Sequence, residues 1–345
     1  AAMSERAFFI DGGIGETRGV VLLDGRPERL LIARDGEDAA TGLGARSIAR
    51  VKNVDRALGT AFLELPGGAP AVLALKPDME KITQGQAVEV EIRSEPRRGK
   101  SASARLIGPG EGAPRLLAAG LDIGAELRVL ARDGDIVEGA QAREAADEAE
   151  AEALETIHPL PGGGSLAIEE TRALVAIDVD VGERQGSDSK RVTRQANLTA
   201  FYAAARLLRL KGLGGLVVFD LAGRGHDGAA LLSAARAAFG PDNPGVAISP
   251  ISRFGTMELT VPRRRRPVVD LLTADPARTA ALRLVRMLER EGRSSPGARL
   301  SAACAPDVAR ALSIYDAALA DRLGRRFTIE AQVGWPVQRL EVRAL

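Results

Sequence analysis

The sequence predicts a multidomain protein of mixed α/β structure, and three observations carry this prediction. The chain has 345 residues, which is enough for two or three domains with cores of their own. Residues 43–107 hold five short strand candidates in succession, which is typical of a small β-barrel. Residues 161–265 instead alternate apolar strand candidates with helical stretches, which is typical of an α/β domain.

Residues 1–42 are predicted to contain short strands. Three candidates, AFFIDGG, TRGVVLLDG and ERLLIAR, are separated by glycine-containing breaks within residues 7–34. Asp24-Gly25 lies between the last two candidates and is a hairpin signal.

Residues 43–107 are predicted to form an OB-fold. The five strand candidates are SIARVKNVD, GTAFLEL, PAVLAL, QAVEVEIRS and SASARLIG. The segment carries 11 Lys and Arg against 7 Asp and Glu, so it is basic although the whole chain has a net charge of only +1. Barrels of this kind bind single-stranded nucleic acid by stacking and backbone contacts, and a basic surface recruits a polyanion.

The next segment, residues 108–160, is acidic. Residues 108–157 carry 4 Lys and Arg against 12 Asp and Glu. Its main element is Ala140–Glu155, a stretch rich in Ala and Glu with little apolar face, which predicts a solvated surface helix.

Residues 173–220 predict a strand–helix–strand unit. Two apolar runs, Leu174–Ile177 and Leu216–Phe219, are strand candidates. From about residue 190 to residue 211 the chain lacks Pro and Gly and is rich in Ala, Leu and Arg, which predicts a helix. Candidate caps for this helix are Ser187, Asp188 or Ser189 at its start and Gly212 at its end. Such a crossover places the two strands parallel in one sheet.

Each of the two apolar runs ends in an aspartate, Asp178 and Asp220. If the strands are neighbours about 4.8 Å apart, both carboxylates emerge side by side at the edge where such sheets bind ligands. Two carboxylates so close repel each other unless they share a proton or a cation, and Mg²⁺ suits one or two carboxylates with phosphate oxygens and water. Alternatively, one aspartate caps the following loop and the other is solvated. Spacing alone leaves both interpretations open.

Three segments in order resemble the catalytic domain of the ribonuclease E/G endoribonucleases over about residues 161–265: GGGSLAIEETRALVAIDVD, ANLTAFYAAARLLRLKGLGGLVVFD and AISPISRFGTMEL. The resemblance implies a DNase I-like catalytic domain in which Asp178 and Asp220 hold Mg²⁺ and which cuts single-stranded RNA. It also implies that residues 1–42 and 108–160 form an RNase H-like subdomain, with the OB-fold inserted between them. Residues 266–345 resemble a trimmed form of the family's small C-terminal domain.

The resemblance further implies three RNA contacts, made by Phe62, Lys100 and Arg253. Phe62 matches an aromatic residue that contacts bases, Lys100 matches a lysine beside it, and Arg253 matches an arginine that could clamp a phosphate. A second family aromatic falls at Val72, which cannot stack on a base, so contact by the barrel should be weaker than usual. The alternatives are a core residue for Phe62, a solvated hairpin tip for Lys100 and an ion pair with a sheet-edge carboxylate for Arg253.

The catalytic segment also departs from the family pattern. Asp180 stands where the family has Asn, so it could act as a third metal ligand or recruit a second cation. Gly223 stands where the family has a second Asp, and Asn197 matches a family Asn without a role that we can assign. The run Arg263–Arg266 could track the RNA backbone or form a solvated loop.

Two family features are expected to be absent. The Arg-Thr motif of the pocket that senses the 5′-monophosphate end of RNA has no counterpart in residues 108–160. The only cysteine, Cys304, lies well away from the position of the family's Cys-Pro-x-Cys zinc motif. We therefore expect no zinc and no zinc-linked dimer, and the oligomeric state stays open.

The remaining composition bears on location and chemistry. A single cysteine excludes disulfides within the chain and predicts an intracellular, cytoplasmic protein. No stretch approaches the roughly 20 apolar residues of a membrane helix, so no membrane partner is expected. His158 and His226 are the only histidines and both are predicted in loops, so a metal-activated water is the expected nucleophile.

Two rival functions stay open at this point. One is a non-catalytic RNA-binding protein on the same scaffold. The other is a metal-dependent nuclease that acts on DNA or on structured RNA.

Overall fold

The computed structural model describes residues 5–77, 81–183, 188–225, 227–240 and 244–345. The strands are, in chain order, β1 (Arg6–Gly12), β2 (Glu16–Leu23), β3 (Arg26–Arg34), β4 (Arg46–Asp55), β5 (Thr60–Glu64), β6 (Pro70–Ala74), β7 (Ala87–Ser94), β8 (Ala102–Pro109), β9 (Arg115–Ala118), β10 (Ile136–Val137), β11 (Ile157–Pro159), β12 (Ser165–Glu170), β13 (Val175–Asp180), β14 (Gly215–Asp220), β15 (Ala247–Ile248), β16 (Thr256–Val261), β17 (Leu300–Cys304), β18 (Phe327–Ala331) and β19 (Glu341–Ala344). The α-helices are α1 (Ile123–Ala131), α2 (Ala140–Leu154), α3 (Ser189–Lys211), α4 (Gly228–Phe239), α5 (Val268–Ala274), α6 (Pro276–Ser294), α7 (Pro306–Leu312) and α8 (Asp316–Leu323).

The first sheet has the strand order β10-β1-β2-β3. Strands β1, β2 and β3 are antiparallel, and β10 pairs parallel with β1 after the chain has passed through the barrel. The predicted hairpin between β2 and β3 is confirmed, because Asp24 (φ 50°) and Gly25 (φ 76°) both adopt the positive φ that a tight two-residue turn needs. Segments on either side of the barrel thus share one sheet, although the proposed domain boundaries stay a prediction.

The predicted helix over Ala140–Glu155 is present as α2, but it is not a solvated surface helix. One side of it is buried against the first sheet, α3 and α5. The buried alanines are Ala142, Ala145, Ala146, Ala149 and Ala153. The prediction is wrong because alanine adds little to a hydrophobic pattern, whereas its small side chain allows close packing of a helix on its neighbours.

Buried ion pairs account for part of the acidic charge in this segment. Arg18 is 1% exposed and donates to Asp11 (2.6 Å) and to Glu150 of α2 (3.3 Å). Arg283 of α6 donates to the other oxygen of Glu150 at 2.6 Å. Burial alone would raise the pKa of Glu150, but the guanidinium groups of Arg286 and Arg283 outweigh it and lower that pKa. The network ties α2 to both the first sheet and α6.

The second sheet is a closed barrel of five strands, consistent with an OB-like fold. Its order is β5-β6-β8-β7-β4, and β4 also pairs with β5 and closes the barrel. All five strands predicted from the sequence are present, and their inward residues form a separate core. The sheet extends beyond residue 107, because β8 reaches Pro109 and β9 adds to β4.

The third sheet has the order β11-β12-β13-β14-β16-β15. The predicted strand–helix–strand unit is confirmed, since β13 and β14 pair parallel while the other neighbours pair antiparallel. Alternate residues such as Val175, Ile177, Val217 and Phe219 are buried in one large core with α3 and α4. The opposite face of the sheet therefore carries the polar residues of the same strands.

Helix α3 begins and ends at two of the candidate caps. The Asp188 side chain accepts hydrogen bonds from the backbone N–H groups of Lys190 and Arg191, while Ser187 lies outside the described residues. Gly212 ends the helix in the left-handed conformation (φ 68°).

The C-terminal segment forms a three-stranded sheet in the order β18-β17-β19, with α6, α7 and α8 packed around a core of its own. The central strand of this sheet is β17. Its sequence, LSAAC, contains no β-branched or aromatic residue, so propensity alone does not indicate a strand. No helix within the described residues is long and apolar enough to cross a membrane.

Candidate active site

Asp178 and Asp220 are direct partners in the parallel register of β13 and β14. Adjacent strands lie about 4.8 Å apart, so the two residues are cross-strand neighbours. Both side chains are exposed on the sheet face opposite to the core of α3 and α4. The topology thus brings together the two carboxylates that the sequence predicted as a pair.

Neither carboxylate has a structural role in the described part of the fold. Within the part of the chain that the structure describes, the Asp178 and Asp220 side chains have no hydrogen-bond or ion-pair partner. Neighbouring carboxylates without a cation or a donor repel each other, and that repulsion favours the binding of a cation between them. Two carboxylates open to solvent are also a ligand set that suits Mg²⁺. The residues present therefore fit the ion.

Asp180 lies on the same face as Asp178 but has another partner. Its Oδ1 accepts a hydrogen bond from the backbone N–H of Gly182 at 2.9 Å, so it stabilises the turn after β13. The described residues contain no group of three or more His, Cys, Asp or Glu placed to hold a metal ion. Metal binding by Asp180 stays a prediction, and stabilisation of the turn is its competing role.

Asn197 holds the loop that follows Asp220. It is fully buried on α3, its Nδ2 donates to the Ala222 carbonyl (3.1 Å), and its Oδ1 accepts from the Ala222 N–H (3.0 Å). Gly223 comes next, with φ 84°, and a Cβ there would lie 2.9 Å from Cγ2 of Thr193. A carboxylate side chain at position 223, as the family has, does not fit this backbone without a shift.

A hydroxyl–carboxylate network lies beside Asp220, and the sequence analysis did not identify it. Thr256 is the register partner of Asp220 on β16, and its hydroxyl donates to Glu258 at 2.7 Å. Ser249 donates to the other Glu258 oxygen at 2.9 Å. These two hydrogen bonds lower the pKa of Glu258. The alternation in TMELTV, which places Thr256 and Glu258 on one face, is the signal that could have revealed it.

Arg253 lies in the exposed turn between β15 and β16, which closes through a Ser252–Thr256 backbone hydrogen bond of 2.8 Å. The register of Thr256 with Asp220 puts this turn at the same edge of the sheet as the aspartates. The Arg253 guanidinium stacks over the Phe254 ring at 4.7 Å and, among the described residues, has no carboxylate partner. The ion pair considered as an alternative is therefore not formed with any carboxylate of the described residues.

Phe62 is on the outer face of the barrel and is 39% exposed, so it is not a plain core residue. Its register partner on β6 is Val72. Lys100 closes the hairpin between β7 and β8 by a backbone pairing with Arg97. Val72 and Lys100 line one cleft with residues of the third sheet.

The arginine run Arg263–Arg266 mainly connects the third sheet to the barrel and to α1. Arg265 pairs with Glu95 of the barrel segment (3.2 Å) and with Glu126 of α1. The backbone N–H of Arg266 donates to Glu95 at 2.9 Å. Only part of the run is therefore available for an anion.

His158 is buried and is not part of this site. His158 is on β11 and 3% exposed, and burial, followed by the charge of Lys211, lowers its pKa to about 4. It is a buried strand residue, so the prediction of a loop histidine is wrong at this position. His226 lies outside the described residues.

Comparison with known proteins gives one matching family, described as the Ribonuclease E/G family, over residues 126–266. Residues of this chain are similar to a chloroplastic "Ribonuclease E/G-like protein" of Arabidopsis thaliana, with 37% identity over 123 residues, which is 34% of this chain and 12% of that protein. Ribonuclease E of Escherichia coli (strain K12) is 38% identical over 104 residues, covering 29% of this chain and 10% of that protein. Ribonuclease G of Salmonella typhimurium is 31% identical over 123 residues, covering 35% of this chain and 25% of that protein.

The similarity is therefore regional. In each case the matched stretch spans a quarter or less of the relative's own length. The family match includes β13, α3, β14 and β16, and hence both aspartates and Arg253.

Proposed function

We propose that the chain is a member of the ribonuclease E/G family, which its residues 126–266 match, and that it is a Mg²⁺-dependent endoribonuclease that cuts single-stranded RNA. The observation that carries the proposal is the register pairing of Asp178 with Asp220, both exposed and without a partner among the described residues. Structural carboxylates usually have donors, as Asp188 and Glu150 do here, so an unused adjacent pair points to an external cation.

In this proposal Asp178 and Asp220 hold Mg²⁺ at the carboxyl edge of the parallel strands. When bound, Mg²⁺ lowers the pKa of a coordinated water and neutralises charge that develops on the phosphate. Asn197 positions the loop after Asp220 through the Ala222 backbone. The family resemblance further suggests products with a 5′-phosphate and a 3′-hydroxyl.

The same proposal gives RNA-binding roles to three residues. Arg253, exposed at the aspartate edge, offers a guanidinium to a backbone phosphate near the bond to be cut. Phe62 offers an exposed ring for base stacking, and Lys100 offers an ammonium group in the cleft beside Val72. The barrel and the aspartate edge would thus hold one strand of RNA at separate points.

The proposal is tested by incubating the protein with a short single-stranded RNA, with Mg²⁺ and with EDTA. Cleavage that needs Mg²⁺ is the expected result. RNA binding without cleavage would favour the non-catalytic alternative, and parallel reactions on duplex RNA and single-stranded DNA separate the proposed substrate from the other nuclease substrates.

The proposal also covers the location of the protein and the absence of a zinc link. We infer a cytoplasmic location from the single cysteine, and we infer that no zinc link joins two copies because Cys304 is buried in β17.

A further inference from the structure

A cleft of about 590 Å³ lies between the barrel and the third sheet. It is at the opposite end of the sheet from the aspartates, because Gly215, which lines it, begins β14 and Asp220 ends that strand. Five residues of strand separate them, which is about 17 Å. The cleft is therefore distinct from the candidate active site.

Cationic groups from both domains enter this cleft. Arg97 and Lys100 come from the hairpin between β7 and β8, and Arg263 follows β16. Hydroxyl groups complete the polar lining: Ser94, Ser101, Ser103 and Thr260. None of the described residues that line the cleft is a carboxylate. Guanidinium, ammonium and hydroxyl donors together are the groups that proteins use to bind phosphate.

The two cations from the barrel have no direct structural partner in the described part of the chain. Among the described residues, the side chains of Arg97 and Lys100 make no hydrogen bond and no ion pair. Two carboxylates, Glu170 and Asp270, lie near Arg97, and Glu170 also lies near Arg263. Asp270 accepts a hydrogen bond from the backbone N–H of Arg98 at 3.1 Å. Positive charge in the cleft is therefore only partly balanced.

Arg263 is fixed in place from the other side of the cleft. Its Nε donates to the Gly214 carbonyl at 2.9 Å, and its guanidinium lies against Gly215, where a Cβ would collide with it. Gly215 (φ 98°) thus leaves the space that the guanidinium occupies. Burial, followed by the charge of Arg263, lowers the pKa of Arg97, as expected for a guanidinium group that lies near another and is repelled by it. An anion between them would relieve that repulsion.

A row of register partners leads from Phe62 to the cleft. Phe62 pairs with Val72 of β6, Val72 pairs with Ser103 of β8, and Ser103 donates to Ser94 of β7 at 3.0 Å. Two strand spacings separate Phe62 from Ser103, which is about 10 Å. A base on the Phe62 ring and a phosphate in the cleft can therefore belong to nearby nucleotides of one strand.

We propose that this cleft binds a backbone phosphate of the single-stranded RNA whose base lies on Phe62, with Arg97 and Arg263 as its main ligands. The inference rests on the proposed function for the nature of the ligand. The region where the barrel contacts the third sheet then has a second role besides packing, which is to hold the RNA at a fixed distance from the aspartates.

The test is the affinity for a short oligouridylate in EDTA, where no cleavage occurs, measured at several salt concentrations. Arg97→Gln should weaken binding by roughly tenfold, because it removes one charge-assisted contact. It should also reduce the slope of log K against log salt by about 0.7, the value for one phosphate contact on a single strand. Arg115→Gln removes the same charge from exposed strand β9 of the barrel sheet, outside the cleft, and serves as the matched control.

Arg263→Gln should give the same reduction in slope, and a thermal melt shows whether this anchored residue can be removed without unfolding. If Arg263→Gln unfolds the protein, Arg97→Gln still tests the proposal, because the Arg97 side chain makes no hydrogen bond and no ion pair with the described residues. An affinity and a slope for Arg97→Gln equal to those of Arg115→Gln would overturn the proposal.

Inorganic phosphate as the sole ligand separates the two sources of a phosphate group. Binding of free phosphate that depends on Arg97, combined with an unchanged RNA slope, would make the cleft a site for a free anion and contradict the RNA assignment. A protein that shows the Arg97-dependent slope but never cuts RNA would contradict the nuclease proposal and leave this one standing.

Discussion

The side-chain amide of Asn197 satisfies both the N–H and the carbonyl of Ala222, at 3.0 and 3.1 Å. Ala222 is two residues beyond Asp220, and Asn197 is fully buried. The crossover helix therefore fixes the loop that leaves one of the two paired aspartates, so that a residue with no assignable role in the sequence has one in the structure.

Asn197→Ala should lower both stability and cleavage. Two backbone groups of the partly buried Ala222 lose their partner, and each costs up to about 1–3 kcal/mol if water cannot replace the amide. Urea unfolding measures the loss. At a temperature where the variant is folded, its Mg²⁺-dependent cleavage should still be reduced, because the loop after Asp220 is no longer fixed. If the variant is destabilised but, when folded, cleaves as the wild type does, the hydrogen bonds between Asn197 and Ala222 serve stability alone.

Gly223→Asp, which introduces the carboxylate that the family has at this position, should destabilise the protein and add no activity. The residue has φ 84° and a Cβ would press on Thr193. Gly225→Asp is the matched control, because Gly225 also has a positive φ (69°) but nothing within 4 Å of a Cβ. Both variants bear the cost of a left-handed Asp, about 1–2 kcal/mol. The melting temperature of Gly223→Asp should be the lower of the two. Equal melting temperatures would mean that the loop adjusts and that Thr193 imposes no limit.

Asp180→Asn should raise the Mg²⁺ concentration for half-maximal cleavage without abolishing activity, if Asp180 faces the same cation as Asp178. The amide oxygen of Asn can still accept the hydrogen bond from Gly182, so the turn should persist. A Mg²⁺ titration of wild type and variant measures the effect. Superimposable titration curves would assign Asp180 to the turn alone.

Protonation of His158 should destabilise the protein below neutral pH. Its pKa is about 4 in the folded chain, against 6.5 for an ordinary histidine, so the unfolded chain binds more protons between these values. Stability is therefore unaffected by this group above pH 6.5 and decreases as the pH falls from 6.5 to 4. The loss between pH 7 and pH 5 is about 2 kcal/mol. Urea unfolding of wild type and His158→Gln at both pH values measures the part of the loss that is due to His158. An equal pH dependence in the two proteins would contradict the assignment.

Local patterns in the sequence predicted much of the fold. Asp24-Gly25 marked the first hairpin, Asp188 and Gly212 marked the ends of α3, and the paired runs ending in Asp178 and Asp220 marked the parallel strands. Each of these features depends on residues close in the chain or on one crossover rule.

Features that depend on packing between distant segments could not be predicted in this way. The alanines of α2 become a buried face only because the first sheet and α3 lie against them. The cleft that joins Arg97 to Arg263 exists because the barrel docks on the third sheet. No periodicity in the sequence specifies that docking.

The most direct test of the central claim is Mg²⁺-dependent cleavage of a short single-stranded RNA by Asp178→Asn and by Asp220→Asn. Asparagine keeps the shape of the side chain but is a poor Mg²⁺ ligand, so both variants should lose cleavage while RNA binding in EDTA and the melting temperature stay close to wild type. Glu169→Gln is the matched control, because Glu169 is an exposed carboxylate on β12 that pairs in register with Ala176 rather than with either aspartate. The control should cleave as wild type does. Substantial cleavage by either aspartate variant would contradict the assignment of the paired carboxylates as the metal site.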